Sequence, residues 1–204
     1  MRVTRAEAKE RNRRALLDAA RWIVAKDGHR ARLEEIADRA GLTTGAVYSL
    51  FGSKNGLLIA LVTDYLGPHY DGIEQTVSTA LDLDEAVRAF ARHYRRLCDD
   101  PDALSHLSFE ISLQDLALRD PELRPRLAAS VLAHEERLAA LLAGRRHDGA
   151  ALTPRQAQRL ATALRALLVG LSQGVILGLA HTAPEHYFAD AARALVTPDV
   201  LGPP

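Results

Sequence analysis

One cysteine, one methionine, one tryptophan and three lysines in 204 residues leave several kinds of chemistry without their usual means. A lone thiol, Cys98, closes no internal disulfide and supplies no cysteine pair for zinc or an iron-sulfur cluster, which fits a reducing compartment. No apolar run reaches the 18 or so residues of a membrane span. The longest, Ala166 to Ala180, is broken by Ser172 and Gln173 and is expected to form a buried helix. Charge is scarce where a secretory leader needs it scarce, but not here: the first 20 residues are full of Arg and Glu, so the chain is expected to work in the cytoplasm, with no membrane partner. No nucleophile set beside a base, no phosphate-cradling glycine loop and no H-E-x-x-H stretch stands out, and Cys98 and His93 are five residues apart on different helix faces. An enzyme is therefore not expected.

The net charge is zero, yet its halves differ. Residues 1–60 hold 12 Lys or Arg against 7 Asp or Glu, giving +5, and the remainder carries 14 against 19, giving −5. A basic head on an acidic body is the balance that an anionic partner selects.

Strand signals are absent and helix signals are dense. Thr4 with Glu7 spells a capping box, and the helix it opens places Leu16, Ala20, Ile23 and Val24 at helical spacing before Gly28. A short second helix carries Leu33, Ile36, Ala37 and Ala40 and stops at Gly41. Thr43 caps a third, and Ser53 a fourth running to about Leu66 before a break at Gly67-Pro68. Beyond it, Asp82 with Glu85, then Ala103 to Leu118, Asp120-Pro121, Thr153-Pro154-Arg155-Gln156 and Glu185 to Leu195 mark longer helices. Residues 145–152 read as a mobile loop, with Arg95-Arg96 and Arg145-Arg146 as solvated pairs.

The third helix is the informative one. Val47, Leu50 and Phe51 share one face, whereas Thr44, Gly45, Tyr48 and Ser49 occupy the other. Glycine inside a helix costs about 1 kcal/mol relative to alanine, so an opening of Thr43, Thr44, Gly45 and Ala46 serves something besides helix stability. A shallow, hydrogen-bonding face suits a helix pressed into a DNA major groove, about 12 Å wide. With the preceding helix and the Gly41-Leu42 turn, the unit reads helix, turn, helix. Lys54 and the helix end beside it offer contacts to phosphate, Tyr48 offers a hydroxyl, and Arg2, Arg5 and Lys9 can reach the backbone from an N-terminal arm.

Residues Ile36, Ala37, Ala40, Gly41, Gly45, Tyr48, Phe51, Ser53, Lys54 and Leu57 closely resemble the DNA-binding domain of the TetR family of transcriptional repressors. Leu50 and Asn55 depart from the usual pattern, and Arg32 stands where a Ser or Thr commonly caps the second helix. Trp22, at a position usually polar, is expected to pack against the second domain. The resemblance implies an all-α fold of about nine helices. A three-helix helix-turn-helix domain over residues 1–60 precedes a helical effector-binding and dimerisation domain over 61–204. It further implies a homodimer that binds a palindromic operator in double-stranded DNA and is released by a small molecule. DNA-binding candidates are then Arg5, Thr43, Thr44, Gly45, Ala46, Tyr48, Ser49 and Lys54.

Gly170, Gly174 and Gly178 recur every four residues and would let two helices approach closely, between subunits or within one chain. Candidates for an effector pocket are Phe90, His93, Tyr94, His106, Phe109 and Gln173, aromatic or polar residues on otherwise apolar helices. Ordinary core packing is the alternative at each. His106 and Glu110 are the one pair at ligand spacing, and without a third partner in sequence neither a metal nor another cofactor is expected. Lys54→Ala is expected to weaken binding to all DNA and flatten its salt dependence, and Thr44→Val to change base preference. Titrations of random and cognate duplex at two salt concentrations separate the two, and equal effects on both duplexes would discredit these roles.

Overall fold

The computed structural model describes residues 4–78, 82–180 and 183–203, without the side chains of 65–71, 73 and 78. Ten α-helices account for nearly all of the regular structure among them: α1 Arg5–Asp27, α2 Leu33–Arg39, α3 Thr44–Phe51, α4 Lys54–Ser78, α5 Leu83–Leu97, α6 Ala103–Arg119, α7 Leu123–Leu142, α8 Pro154–Ile176, α9 Glu185–Arg193 and the single turn α10 Pro198–Leu201.

The starts of these helices follow their caps. Thr4 Oγ1 accepts from the Glu7 N–H at 3.2 Å while Glu7 reaches back to the Thr4 N–H at 2.7 Å. Thr153 and Gln156 repeat the arrangement at α8, with Pro154 in the first turn, where its missing N–H costs nothing. Asp82 caps α5 through the Glu85 N–H at 2.8 Å. Before α7, the Asp120 carboxylate accepts from the Glu122 and Leu123 N–H groups and from the Asn55 amide, which holds it below the usual carboxylate range.

Two compact units result. The first comprises Met1–Gly67 with Ser105–Ser130, and the second Pro68–Leu104 with Val131–Pro204. Leu16, Leu17, Ala20, Val24, Ile36, Val47, Leu57 and Leu61 form the first core, to which Phe109, Leu113 and Leu123 also belong. Side-chain bonds follow the same grouping. Ser108 Oγ donates to the Ala25 carbonyl at 3.0 Å, and His29 Nδ1 lies 2.9 Å from Asp115. The second core gathers Leu83, Val87, Phe90, Leu142, Leu160, Leu164, Leu168 and Phe188, so α5, α7, α8 and α9 each contribute a stripe.

Four expectations need correction. Helix α4 runs through Gly67-Pro68 to Ser78: one proline removes one ladder hydrogen bond, which a 25-residue helix absorbs. Residues 145–152 hold a hairpin, with Arg146 paired to Ala151 and His147 to Ala150 across Asp148-Gly149. Positive φ at Asp148 (48°) and Gly149 (83°) is the requirement of a type I′ turn, for which Asp-Gly is a preferred pair. Arg145 is no solvated surface charge, since its guanidinium donates to the carbonyls of Leu141 and Val77 near two helix C-termini. Nor is α8 a fully buried helix. Its apolar length and composition would allow a membrane crossing, but it buries one face and leaves Thr162, Ala166 and Gly170 exposed on the other.

Phe188, fully buried, sits in the second core, whereas Leu118 is 71% exposed. Phe188→Ala is expected to cost about 3–5 kcal/mol and Leu118→Ser less than about 0.5 kcal/mol, as read from urea denaturation midpoints at constant m. Similar losses for both would contradict this assignment of the core.

Candidate nucleic-acid interface

The geometry of the interface begins with how α2 ends. The N–H of Gly41 bonds the Asp38 carbonyl at 3.0 Å and that of Leu42 bonds Ala37 at 2.9 Å, the paired closure of a Schellman motif, with Gly41 at φ 65°. The chain turns at once into Thr43, whose Oγ1 accepts from the Ala46 N–H at 3.3 Å and caps α3. Arg32, the residue before α2, makes no cap and instead donates from Nε to Glu35 at 2.9 Å.

Helix α3 has one fully buried residue, Val47, with Leu50 and Phe51 half-buried against the first core. That anchoring turns the rest of the helix outward: Thr43, Gly45 and Ser49 are exposed, Tyr48 is 57% exposed, and Thr44 and Ala46 are half-buried at the rim. Arg5 is also exposed, on the first turn of α1. Arg2 lies outside the described residues.

Lys54 departs from the sequence reading. Its ammonium donates to the Ala31 carbonyl, 2.5 Å away, so the group expected to face phosphate also ties the start of α4 to the segment before α2. The N–H groups of that first turn are met in part by Ser53, whose Oγ accepts from Gly56 at 2.9 Å. Gly56 is a residue that the sequence reading passed over. A Cβ there would lie 2.0 Å from the Phe51 carbonyl oxygen, so the end of α3 and the first turn of α4 approach too closely for any side chain. The Trp22 ring is stacked 3.8 Å beneath the Arg39 guanidinium, with the Lys26 ammonium 5.1 Å from it, both contacts made within the first unit.

The six effector candidates do not fall into one cluster. Phe90 and Tyr94 meet edge to face, centroids 5.1 Å apart, in the second core. His93 on the same helix packs over Gly72, and burial together with the Arg96 charge lowers its pKa. Phe109, however, is a buried member of the first core, and His106 belongs to the same unit, because the apolar period of α6 serves that core. Gln173 is half-buried near the end of α8, where its carbonyl accepts from Leu177. Residues that the sequence reading missed lie beside Phe90 and Tyr94. Glu135, only 3% exposed, takes a hydrogen bond from Arg165 Nε and another from Thr162 Oγ1 at 2.8 Å. Their spacing across two helices 30 residues apart gave no local signal.

The glycine series also resolves into different roles. Helix α8 ends at Ile176, and Gly178, at φ 72°, lies in the closing turn instead of on a helix face. Gly174 is matched within the chain: its carbonyl accepts from Leu179 and Ala180, and a Cβ there would stand 3.3 Å from Ala180. A Cβ on Gly170 would meet nothing within 4 Å. The run Gly170-Leu171-Ser172-Gln173-Gly174 carries the letters of a nucleophile elbow, but it lies inside a helix and lacks the strand-to-helix turn that exposes such a serine. Burial raises the Cys98 thiol pKa, away from thiolate chemistry. Among the described residues no group of three or more His, Cys, Asp or Glu is placed to hold a metal ion.

Known proteins agree with this geometry. The family model described as bacterial regulatory proteins, tetR family, matches residues 16–61. The fatty acid metabolism regulator protein of Bacillus subtilis is 26% identical over 106 residues, 51% of this chain and 55% of its own. The HTH-type transcriptional activator FasR of Mycolicibacterium smegmatis is 32% identical over 80 residues, 39% of this chain and 36% of its own. The matches thus span about half and about a third of these relatives' lengths; the first is by name a regulator of fatty acid metabolism and the second a transcriptional activator. A transcriptional regulator from Pseudomonas aeruginosa PAO1 shares the fold with a TM-score of 0.74 at 19% identity, over 99% of this chain and 96% of its own. The matched residues 16–61 span the outward-facing α3 and its buried anchor Val47, so the stretch of this chain that is similar to the tetR-family regulatory proteins is the one that carries the helix-turn-helix.

Proposed function

We propose that the protein is a cytoplasmic, homodimeric, effector-responsive repressor that reads a palindromic operator and does no covalent chemistry. The observation that carries this is α3 itself: Val47 is buried while Gly45, Tyr48 and Ser49 face solvent, next to Thr43, Thr44 and Ala46. Inserted in the major groove, that surface brings backbone close to base edges. Arg5 and Lys54 supply charge at the phosphates, which positions the helix without reading sequence. Residues 1–60 hold these groups, and residues 61–204 are assigned to effector binding and dimerisation.

Two-fold symmetry supplies the second reader. The outer face of α8, with Ala166 and Gly170 exposed and no neighbour near the Gly170 Cβ position, supports pairing between copies. A small molecule bound in the second unit would favour a dimer whose α3 helices no longer match grooves about 34 Å apart, lowering affinity through a shift in population. Phe90, His93, Tyr94 and Gln173 remain the candidates for that pocket. The name of the Bacillus relative supports regulated genes in fatty acid metabolism, and the Mycolicibacterium relative, an activator by name, makes the sign of regulation a direct experimental question.

A gel shift of the protein on its own upstream DNA, at two salt concentrations, tests the reading: a salt-sensitive shift of that fragment is expected, and failure to shift any fragment overturns it. Gly45→Ala is the sharper test. A Cβ at Gly45 meets only Thr43 Oγ1 at 3.6 Å, so the substitution should raise stability by up to about 1 kcal/mol while weakening operator binding about tenfold or more. Gly56→Ala should do the reverse in kind, lowering the Tm of the first unit. A Gly45→Ala protein with full operator affinity would remove α3 as the reader. Gly170→Glu is expected to shift sedimentation toward monomer with little change in helix content by circular dichroism, and an unchanged dimer would exclude that face.

A further inference from the structure

In the second unit, Phe90 and Tyr94 of α5, His134, Glu135 and Leu138 of α7, and Arg165 of α8 line a shallow recess. Its two charged walls differ in one respect. Glu135 is 3% exposed and fixed by the Thr162 hydroxyl as well as by Arg165, whereas a third of the Arg165 side chain (34%) reaches solvent. Arginine is long and flexible, and its head can leave for water at modest cost. The Glu135 carboxylate, seated in mid-helix, cannot.

We propose that this recess is the seat of an organic cation, which displaces the Arg165 guanidinium and takes its place on the Glu135 carboxylate. When Arg165 swings out alone, a buried carboxylate is left with one neutral donor, among the more costly arrangements in a protein interior. An incoming ammonium or guanidinium group removes that cost. An incoming carboxylate adds a like charge to it. Of the other lining residues, the Phe90 and Tyr94 rings offer electron-rich surface to a cation and Leu138 offers contact to its carbon substituents, while the His134 imidazole is a further titratable group beside them. As it stands the recess has no room for even a water, so the Arg165 side chain occupies the volume that a ligand needs. Arg165 thus acts as an internal competitor, and apparent affinity is reduced by the fraction of molecules in which it is seated. The inference deepens the effector-responsive reading above and rests on it for any effect on DNA, but the binding itself does not.

The test uses the full chain with butyltrimethylammonium and, as the anionic counterpart, hexanoate, followed by thermal denaturation and titration calorimetry. The cation is expected to raise the Tm of the wild type and hexanoate to leave it unchanged. A ligand at about 100 times its dissociation constant multiplies the folded-to-unfolded ratio about 100-fold. Arg165→Gln should start less stable, bind the cation about tenfold or more tightly, and recover its Tm on adding it. Glu135→Gln should lose the response. Should that variant not fold, Glu135→Gln/Arg165→Leu, which leaves no charge buried, supplies the cation-blind control. Stabilisation by hexanoate in preference to the cation, or no cation response in either the wild type or Arg165→Gln, overturns the proposal and leaves the pair a structural tie. A cation that raises the Tm but leaves the gel shift unmoved supports the site and overturns the effector reading instead.

Discussion

Everything the first unit offers to a partner depends on the burial of Val47. An eight-residue helix has no stability of its own in water, since nucleation is costly and too few hydrogen bonds follow it. Helix α3 exists because Val47 is fully enclosed and Leu50 and Phe51 lean on the same core. That single anchor also fixes rotation about the helix axis, and with it which side chains look outward. The neighbouring close approach at Gly56, where the backbone of α3 leaves no room for a Cβ, fixes the remaining freedom between α3 and α4.

Local chemistry was legible in the residues and tertiary chemistry was not. Thr4 with Glu7, Asp82 and Thr153 with Gln156 could be read as caps because donor and acceptor lie three residues apart. The faces of α3 could be read because one period of a helix decides them. Phe109 could not be assigned, since an aromatic residue at helical spacing looks the same whichever core it enters. Gly178 looked like the third member of a stripe until the chain closed the helix two residues earlier, and Pro68 looked like a stop in a helix long enough to continue. Asp148-Gly149 did carry its turn signal, but strands of two residues are too short for alternation to show.

The candidate site divides in the same way. The outward side of α3 was visible in sequence as an unusual helix opening, because Thr43, Thr44, Gly45 and Ala46 are contiguous. The pair of Glu135 and Arg165 was not, because nothing within α7 or α8 alone distinguishes a buried charge from a solvated one. Lys54 shows a third case, in which the position was legible but the bond to the Ala31 carbonyl, 23 residues away, was not.

Arg39 closes α2, two residues before Gly41 turns the chain toward α3, and its guanidinium lies flat on the ring of Trp22. Trp22 is the single tryptophan of the chain. The protein's tryptophan emission therefore originates beside the turn of the helix-turn-helix, and any rearrangement there that separates the cation from the indole becomes an optical signal without a label.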